Sequence, residues 1–371
     1  MIPLFKVMMA PGVEDRVVET LHSGYIGEGP RVAEFEKALE PVLGAQVLCT
    51  NSCTSALDLA YHLIGFGHGD EVICTPMTCL ATTMPLALRG CKIVWADVDE
   101  LTGNICLNDV LAKITPETKA IICVDWAGRP CDYPLLRSQM PRHIPIVEDA
   151  AHAFGASLAD LPLGLIGGDY IAWSFQAIKH LTTGDGGALK TLPREHERAR
   201  LLRWYGLDRR DSTAMRCLQQ APEPGFKYQM NDIAASIGLA NLPEAVASVK
   251  IRRWNARYYD AFLPREFTAA YDPGASYWLY TILVPERDAF ISYMEREGVQ
   301  VSMVHSRNDL QDIYREWRVS LPGLDRFSER QVSIPVGPWL GVADLEHVVS
   351  LIRAWASDHG ITVERHESVH A

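Results

Sequence analysis

Two polar residues, Lys179 and Asp149, each lie where an apolar, strand-like run ends. Lys179 follows Ser174 by five residues and precedes a glycine-rich turn at 184–187, and Asp149 closes the run at 144–149. A neutral lysine amine can form a Schiff base with an aldehyde, and burial favours the neutral amine. A buried carboxylate needs a partner, such as a protonated ring nitrogen. These are the two groups that an enzyme using pyridoxal 5′-phosphate (PLP) must supply.

Other residues near these runs could hold the rest of such a cofactor. The segment Cys53-Thr54-Ser55 starts a predicted helix just after a strand, and backbone N–H groups and hydroxyls at a helix start bind phosphate. Ser174 supplies a further hydroxyl, and His152 could bind the phenolic oxygen of PLP or stack on its ring. Simpler roles remain open, since small polar residues and Asp149 can cap helices, and His152 can be structural.

Alternating strands and helices between residues 45 and 190 must position these groups. The strands are rich in Val and Ile and lack strict alternation, which is typical of strands covered on both faces. We therefore predict an α/β domain with a mainly parallel seven-stranded sheet between helices, with ligands bound beyond the carboxyl ends of the strands. The predicted strands are Gln46–Thr50, Glu71–Thr75, Lys92–Ala96, Lys119–Val124, Ile144–Asp149, Asp169–Phe175 and Gly187–Thr191. The predicted helices between them are Thr54–Ile64, Leu80–Leu88, Leu107–Ile114 and Tyr133–Gln139.

A smaller α+β unit is predicted for the C-terminal third. It begins with a long helix over 231–260, which Pro243 is expected to kink. Two strands, Tyr277–Val284 and Gln300–Val304, and two helices, Ala289–Glu297 and Ala343–Ala356, follow. We predict a large PLP-binding domain with an N-terminal arm over 1–240 and a small domain over 241–371.

Composition restricts the class of protein. The 371 residues include 48% hydrophobic and 22% charged residues, as in ordinary globular proteins. The formal charge of −11 and the lack of a basic run argue against a nucleic-acid partner. Residues 1–11 do not resemble a secretion signal, and no apolar run of about 18 residues predicts a membrane span. We expect a cytoplasmic protein.

The nine cysteines are odd in number and form no CxxC pair. We interpret most of them as buried free thiols in a reducing compartment, and we predict no metal site. His366 and His370 have the i, i+4 spacing of metal ligands, but residues 364–371 are interpreted as a frayed tail.

Taken in order, these motifs resemble the nucleotide-sugar aminotransferases of the DegT–StrS group, which have the aspartate aminotransferase fold (PLP fold type I). The resemblance covers nearly the whole chain. The matching segments are Ser23–Pro30 with Phe35-Glu36, Thr54–Leu57, Asp97–Asp99, Glu148–His152, Ser174-Phe175 with Lys179, Gly225–Tyr228 and Met230–Ile233.

The resemblance implies that Lys179 forms the Schiff base, Asp149 binds the pyridine nitrogen, and Thr54, Ser55 and Ser174 hold the phosphate. Cys53 stands where the family usually has a small residue, often glycine. The family usually places an aromatic side chain against the cofactor near Pro76, and Cys79 falls at that position here.

The resemblance also implies a homodimer with active sites built from both subunits, in which the segment 225–228 reaches the neighbour's phosphate. The third position of that segment is usually Asn and is Lys227 here. A cation could also meet the phosphate, and Asn231 is a substitute candidate.

The reaction implied is transfer of an amino group from L-glutamate to the ketone of a nucleotide-linked sugar, often a 6-deoxy hexose. A dehydratase branch of the family has histidine at the Schiff-base position, but Lys179, not His180, keeps the five-residue step from Ser174, which favours transamination. The candidate substrate contacts are Tyr25, Ile26, Arg203, Tyr205, His305 and Arg307. An aminotransferase for a keto-cyclitol or another small ketone, and a non-catalytic PLP-binding regulator, remain as alternatives.

Overall fold

A seven-stranded sheet forms the centre of the computed structural model, which describes residues 1–211 and 215–361. The strands of the protein are β1 Leu48–Thr50, β2 Glu71–Cys74, β3 Lys92–Trp95, β4 Thr118–Val124, β5 Ile146–Asp149, β6 Ser157–Leu158, β7 Leu161–Pro162, β8 Tyr170–Ser174, β9 Gly187–Lys190, β10 Tyr280–Leu283 and β11 Gln331–Ile334. The sheet has the order β1-β9-β8-β5-β4-β2-β3, and β9 runs antiparallel to both of its neighbours while the other pairs are parallel. The predicted mainly parallel sheet of seven strands is confirmed.

Helices cover the sheet and build most of the rest of the chain. Their bounds are α1 Val13–His22, α2 Pro30–Leu43, α3 Cys53–Ile64, α4 Leu80–Leu88, α5 Leu107–Lys113, α6 Tyr133–Gln139, α7 Leu163–Ile166, α8 His196–Leu202, α9 Asp232–Phe262, α10 Arg287–Arg296, α11 Pro322–Arg330 and α12 Val342–Asp358. The four helices predicted between the strands of the sheet correspond to α3, α4, α5 and α6.

The sheet is buried on both faces, as its sequence pattern indicates. Along β4, Ile121 and Ile122 belong to hydrophobic clusters on opposite faces, and Ile146 and Val147 of β5 do the same. All four side chains are at most 2% exposed. Because neither face meets water, the carboxyl ends of the strands are where polar side chains collect.

The C-terminal unit has a two-stranded sheet, β10 and β11, which pair antiparallel and pack with α10 and α12. The predicted strand at Gln300–Val304 is wrong: Ser302 makes only an isolated bridge to Ser333, and Val304 has a φ of 61°. An extended strand cannot contain that left-handed conformation. The strand β11 was not predicted.

The long helix α9 belongs to both parts of the chain. Its residues up to Val249 pack with the large unit, and Ala256 and Tyr259 pack with the C-terminal unit. The predicted boundary at 240/241 lies inside this helix, which continues through Pro243. The division into 1–240 and 241–371 stays a prediction.

None of the described helices is long and apolar enough to cross a lipid bilayer. All nine cysteines are free, and six of them are buried. In the part of the chain that the structure describes, no three His, Cys, Asp or Glu side chains could together hold a metal ion. His366 and His370 lie outside the described residues.

Candidate active site

Asp149 presents a buried carboxylate at the carboxyl end of β5. It is 3% exposed, its Oδ2 accepts a hydrogen bond from Thr82 Oγ1 at 2.6 Å, and its Oδ1 accepts one from the Ala151 amide at 3.1 Å. Burial raises the pKa of this carboxyl, while the bonds from Thr82 and Ala151 lower it. The neighbouring Glu148 faces away and accepts from the Gly168 amide at 2.6 Å. Asp149, rather than Glu148, is therefore the carboxylate at the cavity.

Lys179 lies on the short segment after β8. Its Nζ is 3.3 Å from the centroid of the Trp278 ring, and the Trp278 Nε1 donates to the Ile178 carbonyl at 2.9 Å, which fixes the indole. Burial lowers the pKa of Lys179 to about 8, and the negative charge of Asp149 opposes that shift. The electron-rich indole face also favours the ammonium form. The amine is thus mostly protonated at neutral pH but loses its proton more readily than an ordinary lysine.

The start of α3 lies directly against β9. Gly187 is the point of contact, because a Cβ there would be 2.6 Å from the Cys53 nitrogen. Gly187 also pairs with Ser174 across the sheet, so Ser174 and the start of α3 are neighbours. Ser52 caps the helix, with its Oγ accepting from the Ser55 amide at 3.1 Å. This arrangement brings hydroxyls to the positive end of a helix dipole, where a phosphate binds well.

A row of stacked rings forms one wall of the site. The His152 ring stacks on Trp278 with centroids 4.1 Å apart and lies nearly parallel to His305, 5.5 Å away. Burial and the charge of Lys179 lower the pKa of His152 well below its usual value and that of His305 to about 4. Both imidazoles are therefore neutral at neutral pH, and they do not add positive charge beside Lys179.

These groups surround one cavity of about 540 Å³. Eight of the predicted site residues line it: Cys53, Thr54, Cys79, Asp149, His152, Ser174, Lys179 and His305. Among the described residues, no carboxylate lies within ion-pair distance of Lys179, and the buried His152 Nδ1 and His305 Nε2 have no hydrogen-bond partner. A helix start with a serine, a lysine amine and a buried carboxylate are the groups that the phosphate, aldehyde and ring nitrogen of PLP require. The residues present fit PLP.

Two predicted cofactor contacts, Ser55 and Lys227, are not among the residues that line this cavity. The Ser55 hydroxyl bonds to Asn51 Oδ1 at 2.6 Å within the α3 cap. Lys227 is exposed, with its Nζ 5.3 Å from the centroid of the Trp204 ring. Asn231, the substitute candidate, caps α9 through its side-chain oxygen and the Ala234 amide at 2.9 Å.

The predicted substrate contacts divide into three groups. His305 lines the cavity, whereas Tyr25 and Ile26 are 64% and 53% exposed in the segment between α1 and α2. Tyr205 is also exposed, at 44%. The two arginines are held by carboxylates of the chain itself: Arg203 pairs with Glu28 and Glu36, and Arg307 pairs with Asp309 and Asp325.

Three residues of the site were not found from the sequence. Thr82 binds Asp149, Trp278 contacts Lys179, and Phe5 of the N-terminal arm stacks on Trp278 with centroids 5.4 Å apart. Thr82 lies three residues after Cys79, about one helical turn further along the chain. This spacing could have indicated that its side chain reaches the same site. Trp278 and Phe5 come from distant segments and carry no spacing that relates them to Lys179.

Capture of PLP by the apoenzyme should accelerate as pH rises through about 8, because only the neutral Lys179 amine is nucleophilic and burial lowers its pKa to that value. Stopped-flow absorbance of the bound cofactor measures the rate. In Asp149→Asn the midpoint should move to lower pH, since the carboxylate that favours the ammonium form is removed. A wild-type midpoint near the ordinary lysine value of 10.5 would contradict this account of the site.

Comparison with known proteins agrees with the geometry. A sequence profile of the DegT/DnrJ/EryC1/StrS aminotransferase family matches residues 10–353. The spore coat polysaccharide biosynthesis protein SpsC of Bacillus subtilis (strain 168) is 33% identical over 360 residues, which are 91% of this chain and 92% of SpsC. The crystal structure of AtS13 from Actinomadura melliaura is 43% identical, with a TM-score of 0.89 over 95% of this chain and 98% of AtS13. The sugar aminotransferase CalS13 from Micromonospora echinospora is 38% identical, with a TM-score of 0.89 over 95% of this chain and all (100%) of CalS13.

The fold and the site define a PLP-dependent aminotransferase of fold type I. The chain belongs to the DegT/DnrJ/EryC1/StrS aminotransferase family, and it is a sugar aminotransferase.

Proposed function

We propose that this enzyme moves an amino group from L-glutamate to the keto group, at C3 or C4, of a nucleotide-linked 6-deoxy sugar. The observation that carries the proposal is the meeting of Lys179, Asp149 and the start of α3 at one cavity. SpsC is named for polysaccharide biosynthesis and CalS13 as a sugar aminotransferase, and both names support a sugar acceptor.

Each residue of the cavity has a separate task in this reaction. When bound, PLP withdraws electrons from the substrate carbon that bears the amino group. Lys179 takes a proton from that carbon and later returns one, and a pKa of about 8 suits both directions near neutral pH. Asp149 keeps the ring nitrogen protonated. Ser174 and the α3 start, with Cys53 and Thr54, hold the phosphate.

The aromatic wall orients the cofactor and limits the access of water. Trp278 and His152 are 2% exposed, and both line the cavity beside Lys179. Neutral His152 can bind the phenolic oxygen or cover one ring face. Cys79 is exposed and lines the cavity, and it stands where the family usually has an aromatic side chain against the ring, so that stacking contact is lost here.

We further propose a cytoplasmic homodimer with active sites shared between subunits. Tyr25 and Ile26 are large side chains that remain exposed on this chain, at 64% and 53%, which suits contact with a second copy. Lys227 has its ammonium at the surface, where it could reach the phosphate in the neighbouring subunit. On this chain its Nζ lies 5.3 Å from the centroid of the Trp204 ring.

A panel of substrates tests the proposed reaction. The holoenzyme is incubated with L-glutamate and with UDP- or dTDP-linked 3-keto and 4-keto sugars, and 2-oxoglutarate and amino sugar are quantified by mass spectrometry. We expect both products in equal amounts, with neither formed by Lys179→Ala.

The same panel separates the alternatives. Amination of a keto-cyclitol without any nucleotide sugar would replace the proposed acceptor, and turnover with L-glutamine or L-aspartate only would replace the donor. Retention of bound PLP without turnover of any amino acid would favour a regulatory protein.

A further inference from the structure

A second cavity of about 430 Å³ also borders Lys179. Its walls are formed by the N-terminal arm (residues 1–11), the middle of α9 and the segment around Trp339. Lys179 lines both cavities, so a ligand in the second one would lie beside the reacting centre. Asn241 fastens the arm to α9, because its Oδ1 accepts from the Ala10 amide at 2.8 Å.

Arg252 is the notable side chain of this cavity. It is 4% exposed, and its guanidinium donates to Ser248 Oγ at 3.3 Å and to the carbonyls of Tyr277 and Trp278 at 3.2 and 3.1 Å. These bonds use Nε and Nη1, and none of the described residues accepts a hydrogen bond from Nη2. No carboxylate among the described residues forms an ion pair with it, unlike Arg203 and Arg307.

An arginine buried without a counter-ion is costly, because desolvation disfavours the charged form. Burial alone lowers the pKa of Arg252 to about 10, which still leaves it cationic at neutral pH. The other charged side chains lining the cavity are Lys6, Lys179 and Glu244. Because the Lys179 amine holds PLP in the loaded enzyme, it is not counted here. The two remaining cations, Arg252 and Lys6, face one exposed carboxylate, and the cavity favours an anion.

We infer that the second cavity is an oxyanion subsite in which Arg252 binds a carboxylate of the amino donor or a phosphate of the nucleotide-linked acceptor. The guanidinium Nη2 supplies the hydrogen-bond donors, and Lys6 adds charge at the rim. This inference rests on the proposed function for the nature of the two substrates. Because Arg252 also holds the carbonyl of Trp278, an anion here would bind to the same unit that supports Lys179.

Calorimetric titration of the PLP-loaded enzyme tests the subsite with two probes. Glutarate represents the dicarboxylate of the donor, and UDP or dTDP represents the acceptor. Arg252→Gln should weaken binding of one probe by about ten- to a hundredfold, as for the loss of a hydrogen bond to a charged group. Lys6→Gln should weaken the same probe by about two- to fivefold. Arg257→Gln, on an exposed position of the same helix, is the matched control and should bind both probes normally.

The probes also identify the source of the oxyanion. A loss for glutarate alone assigns the subsite to the donor carboxylate, and a loss for the nucleoside diphosphate alone assigns it to the acceptor phosphate. Unchanged affinity for both probes in Arg252→Gln overturns the inference, as does a wild-type enzyme that binds neither. If thermal melting shows that Arg252→Gln does not fold, the same titration of Lys6→Gln tests the subsite instead. Normal binding of both probes by Lys6→Gln then overturns the inference.

The outcome is separable from the fate of the proposed function. Wild-type turnover with L-glutamate and a nucleotide-linked keto sugar is measured independently of binding. If the wild-type enzyme turns over and the variants bind the probes normally, only the inferred subsite is wrong. If probe binding depends on Arg252 but the wild-type enzyme does not turn over, only the proposed reaction is wrong.

Discussion

Replacing Lys179 with alanine should reduce the turnover number by at least about 10⁴-fold, because the residue supplies both the amine that holds PLP and the proton-transfer group. The formation of 2-oxoglutarate from L-glutamate measures the loss. The variant should still fold, since the truncated side chain makes no hydrogen bond in the described structure and its removal relieves a desolvated charge. Adding methylamine should restore part of the activity if the missing function is an amine.

Lys190→Ala is the matched control for this substitution. Lys190 is a half-buried lysine of β9 whose pKa burial also lowers, and its Nζ donates to the Gly168 carbonyl at 2.7 Å, away from the cavity. We expect nearly wild-type turnover from this variant. Normal transamination by Lys179→Ala would remove the basis for the assigned active site.

Asp149→Asn should lower the turnover number by about 10²–10³-fold, the range typical for losing one preorganised electrostatic partner. The amide oxygen can accept from the Ala151 amide and the NH2 group can donate to Thr82 Oγ1, but the side chain has no charge with which to keep a ring nitrogen protonated. The melting temperature should not fall, because burial raises the pKa of Asp149 and thus disfavours the ionised form in the folded protein. Steady-state kinetics and thermal melting together distinguish loss of chemistry from loss of fold.

Glu148→Gln provides the comparison on the same strand. Burial and the nearby Asp125 raise the pKa of Glu148 well above its usual value, which favours the neutral form of this carboxyl. A neutral amide should therefore change turnover little. Equal losses from Glu148→Gln and Asp149→Asn would mean that the two substitutions act through packing rather than through the ring nitrogen.

The sheet could be predicted because its strands are covered on both faces. Runs such as 119–124 and 144–149 are then rich in Val and Ile and lack strict alternation, which is a strong signal in the sequence. The C-terminal unit was harder, because its strands are short and partly polar. Gln331–Ile334 follows a charged helix without a break, and Gln300–Val304 has strand-like composition but a left-handed residue at Val304. Tertiary contacts, rather than local preference, decide both segments.

The residues of the site also fall into those that the sequence could predict and those that depend on tertiary contacts. Asp149, Ser174 and Lys179 follow strand ends, and parallel strands bring their ends to one edge, so their meeting could be predicted. Trp278 reaches Lys179 across about a hundred residues of chain, and Arg252 lies in the middle of a helix whose pattern shows only its apolar positions. The ion pairs that occupy Arg203 and Arg307 also depend on distant carboxylates. No spacing rule relates such residues before the chain is folded.

The long helix α9 has a consequence for any attempt to divide this enzyme into pieces. Its first half packs with the large unit, and its last two turns pack with the C-terminal core. A cut at 240/241 would therefore divide one continuous α-helix. In each fragment, the remaining part of this helix would expose its apolar side chains to solvent. Separate expression of the two parts should give insoluble products, and an inserted tag or circular permutation has to avoid this helix.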